Sequence, residues 1–366
     1  LRVIDKDWIQ PLLFGSIFLG SGGGGDSRIL SLLLKELLAR KQTIYLMGLE
    51  ELDSDKPYAA VGMMGSAELT DEHFPTGLEG INAVERLKLL TGKAFHALVT
   101  VECGAGINIL YPLLVASRMG LPLIDADAMG RAFPELQMTT FHFAQFPITP
   151  LVLVDGRGHS HEFFEDDSFL LELNTRRVVG EGGGVGFFTG FSNKGSVLKR
   201  ILIPRTISFA AELGRVFVNP GSYSKLLEDL IAVTKNSLYG SAIELFTGSI
   251  KERGKVEALK WRTVTIRGSG SFVNEEFKIL MQNENLIAYR QDRVAAMVPD
   301  LISLIDLETL KPVHNNDVFP GMEVAVIGTP APLVLKTKKA LNVVGPQCFG
   351  YKSAYEPLEM LYFSYF

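Results

Sequence analysis

The sequence predicts an α/β N-terminal domain, built as a largely parallel sheet layered with helices, followed by a mainly β, barrel-like C-terminal domain. Three observations lead there. Helical and strand-like apolar patterns alternate as far as about residue 150. Short β-rich runs separated by turn residues take over from Ile243. Between them lies a stretch with six glycines in the eleven positions Gly180 to Gly190, followed by helical patterning. At 366 residues the chain has length for about two domains. The expected organisation is 1–165 for the α/β domain, 166–242 for the glycine-rich connection with a helical block that can pack on the first domain, and 243–366 for the β-rich domain.

Taken in order, Trp8, Ile9, Leu12, Leu13, Ser16 and Ile17 follow helical spacing, although Ile17 to Leu19 could also form a buried strand. Asp26 to Arg40 is the clearest helix. Ile29, Leu30, Leu33, Leu34, Leu37 and Leu38 repeat along one face, Asp26 can cap the start, and Arg40 and Lys41 suit the negative end of the dipole. Thr43 to Leu49 and Tyr58 to Met64 read as strands, Leu78 to Leu90 as a helix, and Phe95 to Val101 as a strand. A helix containing Pro112 then runs to Met119, and the strand Leu121 to Ile124 follows. Asp155-Gly156-Arg157-Gly158 marks a turn between strand-like runs, and Gly180 to Gly190 reads as a hinge or tight-turn region. Ser208 to Leu213 and Ser224 to Leu238 are expected helices. The later strands are Lys255 to Arg267, Phe277 to Met281, Leu286 to Arg290, Leu301 to Asp306 and Met322 to Ile327. No repeat of 20 to 50 residues and no low-complexity tract is visible.

Composition narrows the function classes. With 36 basic and 41 acidic side chains the net charge is −5, which offers no general attraction to nucleic acid or anionic membrane. Two uncharged stretches approach membrane-span length, Trp8 to Gly25 and Leu136 to Val154. The first contains six glycines and the second is cut by Pro147 and Pro150, so neither reads as a span. No signal-peptide pattern opens the sequence at Leu1, and two cysteines, Cys103 and Cys348, make no disulfide framework; a cytoplasmic location is expected.

Several groups could carry chemistry. Gly20-Ser21-Gly22-Gly23-Gly24-Gly25-Asp26 can turn backbone N–H groups toward an anion or a developing oxyanion. It also contains G-x-G-x-x-G, with Glu50 and Glu51 near the position of a ribose-binding acid, so a nicotinamide-dependent oxidoreductase is one alternative. A strand before the run would favour that reading, whereas a helix favours an anion site or a tight-packing turn. Glu102, Asp125 and Asp127 follow predicted strands, where open parallel sheets place their ligands. Such carboxylates can hold a divalent cation or act as general acid and base; the structural alternative has Asp127 capping a turn and Asp125 pairing with Arg131. Cys103 has no histidine near it in sequence and reads as a buried structural residue. His159 and His161 share one face if their segment is a strand. They could take a metal with Glu162, or stand solvated at a hairpin end. Asn283-Glu284-Asn285 is a turn that could present amides and a carboxylate to a neighbouring site.

The glycine run, the stretch from Glu102 to Asn108, and above all Pro122 to Met138, with Asp125, Asp127, Arg131 and Pro134-Glu135-Leu136, resemble the family named for the S-methyl thiohydantoin desulfurase domain. Asn283 to Asn285, Val298 to Ile302 and Val344 to Gly350 resemble its C-terminal half. The resemblance implies an α/β domain followed by a barrel-like one, and ring chemistry on cyclic amides or thioamides with a divalent metal ion. The partner is then a small-molecule substrate, with neither nucleic acid nor membrane. A hydantoinase-type protein partner is also expected, since the family occurs beside or fused to hydantoinase-type proteins, and a homo-oligomer is a separate expectation. On this reading Glu102, Asp125 and Asp127 hold the metal or supply acid and base, and Arg131 orients an acidic substituent. Gly22, Gly23, Gly24 and Gly25, with Asp26 and Asn108, bind the substrate or its oxyanion. The rival from another class is a non-catalytic partner or ligand-binding subunit of a hydantoinase-like enzyme.

Overall fold

A computed structural model describes residues 1–24, 28–65, 75–104, 106–256 and 261–364. Two compact units emerge. Unit 1 comprises Leu1–Leu13, Gly25–Gly130 and Glu135–Ala211; unit 2 comprises Phe14–Gly24, Arg131–Pro134 and Glu212–Phe366. Asp26, the expected helix cap, and Gly25 lie outside the described residues.

In chain order unit 1 begins with β1 (Arg2–Ile4) and the first half of α1 (Lys6–Leu19), then α2 (Arg28–Ala39), β2 (Ile44–Met47), β3 (Pro57–Gly65) and α3 (Leu78–Thr91). It continues through β4 (Leu98–Thr100), α4 (Gly106–Met119), β5 (Leu123–Ile124), β6 (Ala126–Asp127), α5 (Thr140–Phe143), β7 (Leu151–Asp155) and β8 (Ser160–Phe163). The last elements are α6 (Ser168–Glu181), β9 (Val185–Lys194), α7 (Gly195–Ile201), β10 (Ile203–Pro204) and the first part of α8 (Thr206–Arg215), whose end from Glu212 belongs to unit 2. Eight strands form one sheet in the order β1-β2-β5-β4-β3-β9-β7-β8. Its parallel block is β2-β5-β4-β3, and antiparallel strands extend it on both sides, making the sheet mixed. Helix α4 is buried on every side, which accounts for its unbroken apolar run through Pro112. Helix α3 buries Ala83, Val84 and Leu87 and stops at Gly92, whose left-handed φ of 67° lets its N–H bond back to Lys88.

Two segments depart from the sequence reading. The glycine-rich Gly180 to Gly190 takes the tight-turn form of that reading but only in part: it holds the end of α6, a tight turn, and much of β9, which lies between β3 and β7. A Cβ on Gly186 would stand 2.7 Å from Val179 Cγ2, and one on Gly190 would stand 3.1 Å from the Ile148 carbonyl, so these glycines permit close packing within the sheet. Helix α6 has no counterpart among the expected elements. It buries Leu171 and Val179 together with Ser168, Glu172 and Thr175 and exposes Phe169, Leu170 and Leu173, so apolar residues stand on both faces and no single apolar stripe shows.

Unit 2 contains the second half of α1, then α9 (Tyr223–Lys235), β11 (Ile243–Val256), β12 (Trp261–Gly268), β13 (Glu276–Met281), β14 (Asn285–Arg290) and β15 (Arg293–Met297). After these come β16 (Leu301–Asp306), β17 (Lys311–Val313), β18 (Glu323–Thr329), α10 (Lys338–Val344) and α11 (Leu358–Phe363). The eight strands pair antiparallel in the order β15-β14-β13-β12-β11-β18-β16-β17. Strands β14 and β15 also approach β16, so the sheet curls, while its hydrogen-bonded order stays open at β15 and β17. Inside the curl Phe246 stacks on Phe277, centroids 5.0 Å apart, among Ile266, Ile279, Val324 and Val326. No helix among the described residues is long and apolar enough to cross a membrane.

Candidate functional site

The three acids singled out by the sequence lie in unit 1, past the ends of its short parallel strands, and each meets different partners. Asp125 follows β5 directly. Its Oδ1 accepts from the Ser208 N–H at 2.8 Å and its Oδ2 from the Ser208 hydroxyl, so the carboxylate caps the first turn of α8 from a distance in sequence. Glu102, two residues past β4, accepts from Asn108 Nδ2 at 2.5 Å. Asn108 in turn clamps Met63 of β3, accepting its N–H at 2.8 Å and donating to its carbonyl at 3.3 Å. Asn108 therefore ties the start of α4 to the sheet.

Asp127 differs from both. It is completely buried at the end of β6, where a two-residue pairing with β10 and the Ala128 N–H to Val101 carbonyl bond of 3.0 Å hold its turn beside the end of β4. Three backbone N–H groups converge on Oδ2: Cys103 at 2.9 Å, Met129 at 3.1 Å and Gly130 at 2.7 Å. The last two make the Asx-type turn that a short acidic side chain favours. Oδ1 has no hydrogen-bond partner. Burial pushes the carboxyl up to about 6 against these donors; the nearby Thr206 hydroxyl also favours the ionised form without reaching hydrogen-bond geometry. Asp125, two residues earlier, lines a cleft of about 280 Å³ at the carboxyl ends of β2 and β5, with Leu46, Gly48, Glu50 and Arg205 also on its walls.

Of the other predicted residues, Gly22, Gly23, Gly24 and Arg131 lie in unit 2, while Gly25 and Asp26 lie outside the described residues. Helix α1 precedes the glycine run, so the strand-loop-helix arrangement of a dinucleotide site does not form there. The run first terminates that helix, through Gly20 N–H to Ser16, Ser21 N–H to Phe18 and Gly23 N–H to Gly20. It then docks on the sheet: Asn285 N–H donates to the Ser21 carbonyl at 2.7 Å, Asn315 N–H to the Gly22 carbonyl at 2.9 Å, and Ser21 Oγ bridges the N–H and carbonyl of Ile302. The space above the glycines is occupied. The Asn315 side chain covers Gly22, and a Cβ on Gly23 would stand 2.6 Å from Glu284 Oε1. The Asn283 to Asn285 turn, joining β13 to β14, thus meets the glycine run, a juxtaposition no local sequence pattern shows. Arg131 is wholly buried. Its guanidinium donates to the carbonyls of Ala132 at 3.1 Å, Pro299 at 3.0 Å, Asp300 at 2.9 Å and Asn285 at 3.5 Å, and it lies 5.0 Å from the Phe133 ring centroid. Asp125 has Ser208 as its partner rather than Arg131.

Two comparisons of sequence and one of structure bear on this arrangement. Residues 7–164 match the S-Me-THD-like N-terminal domain, and residues 165–358 match the S-Me-THD-like C-terminal domain. The chain belongs to the S-Me-THD-like family. A crystal structure of a protein from Chromobacterium violaceum is similar in fold, with a TM-score of 0.82 and 23% identity over 98% of this chain and 100% of that one. A component of the centromere DNA-binding protein complex CBF3 from Saccharomyces cerevisiae is 30% identical over 112 residues, which is 30% of this chain and 18% of that protein. The chain therefore spans less than a fifth of that curated relative.

For this S-Me-THD-like chain, the expected divalent metal can be weighed against its donors. Both Asp125 oxygens serve Ser208, Asp127 Oδ2 serves three amides, and Glu102 Oε1 serves Asn108. Among the described residues no group of three or more His, Cys, Asp or Glu side chains is arranged to hold a metal ion. Glu102, Asp125 and Asp127 do not make one donor set here. His161 and His159 approach Asp155 at 3.0 and 3.5 Å instead, and Glu162 pairs with Arg86. Burial alone would raise the Asp155 carboxyl, but the hydrogen bonds from His161 and from the amides of His159 and Arg157 outweigh it and hold the group low. No local pattern marks Ser208, which bonds Asp125 from 83 residues away in the chain, or Thr206, which stands near Asp127.

Proposed function

We propose that the protein is an enzyme acting on a small cyclic amide or thioamide of the hydantoin or thiohydantoin class, with Asp127 as its general acid and base. One observation carries this reading: in a family with a thiohydantoin-related name, Asp127 is a buried carboxyl raised to about 6, with one oxygen anchored by three amides and the other unpartnered. A carboxyl titrating there can take a proton and return it near neutral pH. On an S-methyl thiohydantoin, water adds to the ring carbon that bears sulfur. The C–O bond forms as Asp127 takes one proton; the C–S bond then breaks as that proton passes to the departing methylthiolate. The second water proton goes to the ring nitrogen, and the products are the hydantoin and methanethiol. Glu102 and Asn108 act as positioning residues by holding the turn that carries the Cys103 amide. The cleft of about 280 Å³ lined by Asp125, two residues before Asp127, has room for a ring of this size.

The test is methanethiol release by the purified full chain from S-methyl thiohydantoins, with ring opening followed in parallel on hydantoins. Turnover with a limb of kcat/KM near pH 6 is expected, and Asp127→Asn should remove it. Absence of turnover on both ring classes, or an Asp127→Asn enzyme as active as the parent, overturns the reading.

A further inference from the structure

The side chains that fill the space above the glycine run form a donor set of their own. Glu284 comes from the turn between β13 and β14, and His314 and Asn315 follow β17 directly; they are 4%, 9% and 2% exposed. All three sit on two successive glycines of unit 2. Glu284 Oε1 lies 2.6 Å from where a Cβ on Gly23 would stand, Asn315 Oδ1 lies 2.3 Å from the same position on Gly22, and His314 Nδ1 lies 3.1 Å from the Gly23 carbonyl oxygen. With a φ of 82° at Gly22, both the backbone and the space over it require glycine there.

Hydrogen bonds decide which atoms of this set can act as ligands. A carbonyl oxygen only accepts, so the contact to Gly23 puts the His314 proton on Nδ1 and the ring lone pair on Nε2. Donation of the other ring N–H to a main-chain carbonyl is the usual support of a metal-ligating histidine. The same logic orients Asn315. Its Nδ2 donates to the Asn283 carbonyl at 3.0 Å, which identifies Oδ1, and among the described residues that oxygen has no hydrogen-bond donor. A buried amide oxygen without a donor is costly, and a bound cation removes the cost. The main chain holds the set in place: the Asn315 N–H bonds the Gly22 carbonyl at 2.9 Å, and Arg253 donates to the Asn315 carbonyl at 3.2 Å.

We infer that Glu284, His314 through Nε2 and Asn315 through Oδ1 bind one divalent first-row transition-metal ion over Gly22 and Gly23. An imidazole nitrogen beside a carboxylate and an amide oxygen suits such an ion, whereas Ca²⁺ and Mg²⁺ take oxygen ligands alone. The site lies within unit 2, and the inference is independent of the ring chemistry proposed above.

The full chain, stripped with a chelator and desalted, should bind one Zn²⁺ or Co²⁺ per chain in titration calorimetry, with a dissociation constant of about micromolar or below. Zn²⁺ should raise the melting temperature, because the ion binds only the folded chain. His314→Ala and Glu284→Gln should each weaken binding by at least the roughly 10–100-fold that loss of an outer partner of a metal site costs, with thermal unfolding in the absence of metal confirming that each variant is folded. Asn315→Asp keeps an oxygen at that position and should retain binding. His161→Ala alters the histidine pair at Asp155 and should bind as the parent does. No binding of either ion by the parent, parent affinity in both His314→Ala and Glu284→Gln, or loss of binding in His161→Ala overturns the inference.

Discussion

Asp127 and Arg131 stand four residues apart in one acidic-basic motif, both are completely buried, and their surroundings are opposite. Arg131 belongs to unit 2 and spends its guanidinium on four main-chain carbonyls and a phenyl face. Asp127 belongs to unit 1, has one oxygen saturated by amides and leaves the other without a donor. A buried charge whose hydrogen-bonding capacity is met stabilises its local structure. One left partly unmet carries a shifted pKa, and that is a resource for proton transfer. The resemblance treats the two residues alike, as parts of one reacting centre; their partners separate a structural clamp from a chemical candidate.

The sharpest way to break this contrast is to remove each charge in turn. Asp127→Asn should lower kcat by about 10²–10⁴-fold while the chain stays folded, read from methanethiol release beside a thermal melt. Arg131→Met should do the reverse at first order, costing about 3–5 kcal/mol of stability in urea unfolding because four buried carbonyls lose their donor. A stable but inactive Arg131→Met protein would move that residue to the chemistry. The pH dependence of stability sharpens the point. Because the Asp127 carboxyl rises from 3.8 to about 6 on folding, its contribution to stability is complete below pH 4 and is lost as pH increases through 6. By pH 8 that loss amounts to about 3 kcal/mol, and Asp127→Asn should flatten this part of the profile.

Smaller effects address the glycine run and the acid beside the cleft. Gly23→Ala forces a methyl to within 2.6 Å of Glu284 Oε1 and should cost about 1–3 kcal/mol. No loss would mean the space above the run is open enough for a ligand. Asp125→Ala removes both acceptors of Ser208 at the start of α8 and should cost about 1–2 kcal/mol, the size of a lost helix cap, measured by chemical denaturation.

Much of the fold was legible in local pattern. The helices α2 and α3 and the strands β3, β13, β14 and β16 fall where spacing and turn residues place them, since the helices bury a face at helical spacing and the strands are short apolar or alternating runs bounded by turn residues. Helix α6 was not legible, because apolar residues stand on both its faces, Leu171 and Val179 inward beside Ser168, Glu172 and Thr175, and Phe169, Leu170 and Leu173 outward. Strand β9 was hidden by glycines whose purpose is close packing against Val179 and Ile148. At the site, the acids could be picked out by their positions after predicted strands. Their hydrogen-bond partners could not, because Ser208 meets Asp125 across 83 residues of chain.

The succession from an α/β pattern to β-rich runs, the helical spacing ahead of the glycine run, and the motif shared with the S-Me-THD-like family are all written in the linear chain. These depend on periodicity and short spacings, which a linear chain carries directly. Only the tertiary structure decided that the glycine run meets the Asn283 to Asn285 turn, that Arg131 is a clamp, and that Asp127 keeps an oxygen without a partner. The physical reason is that desolvation and hydrogen-bond saturation depend on groups distant in sequence, so a residue's chemistry is set by neighbours that the chain brings together only on folding.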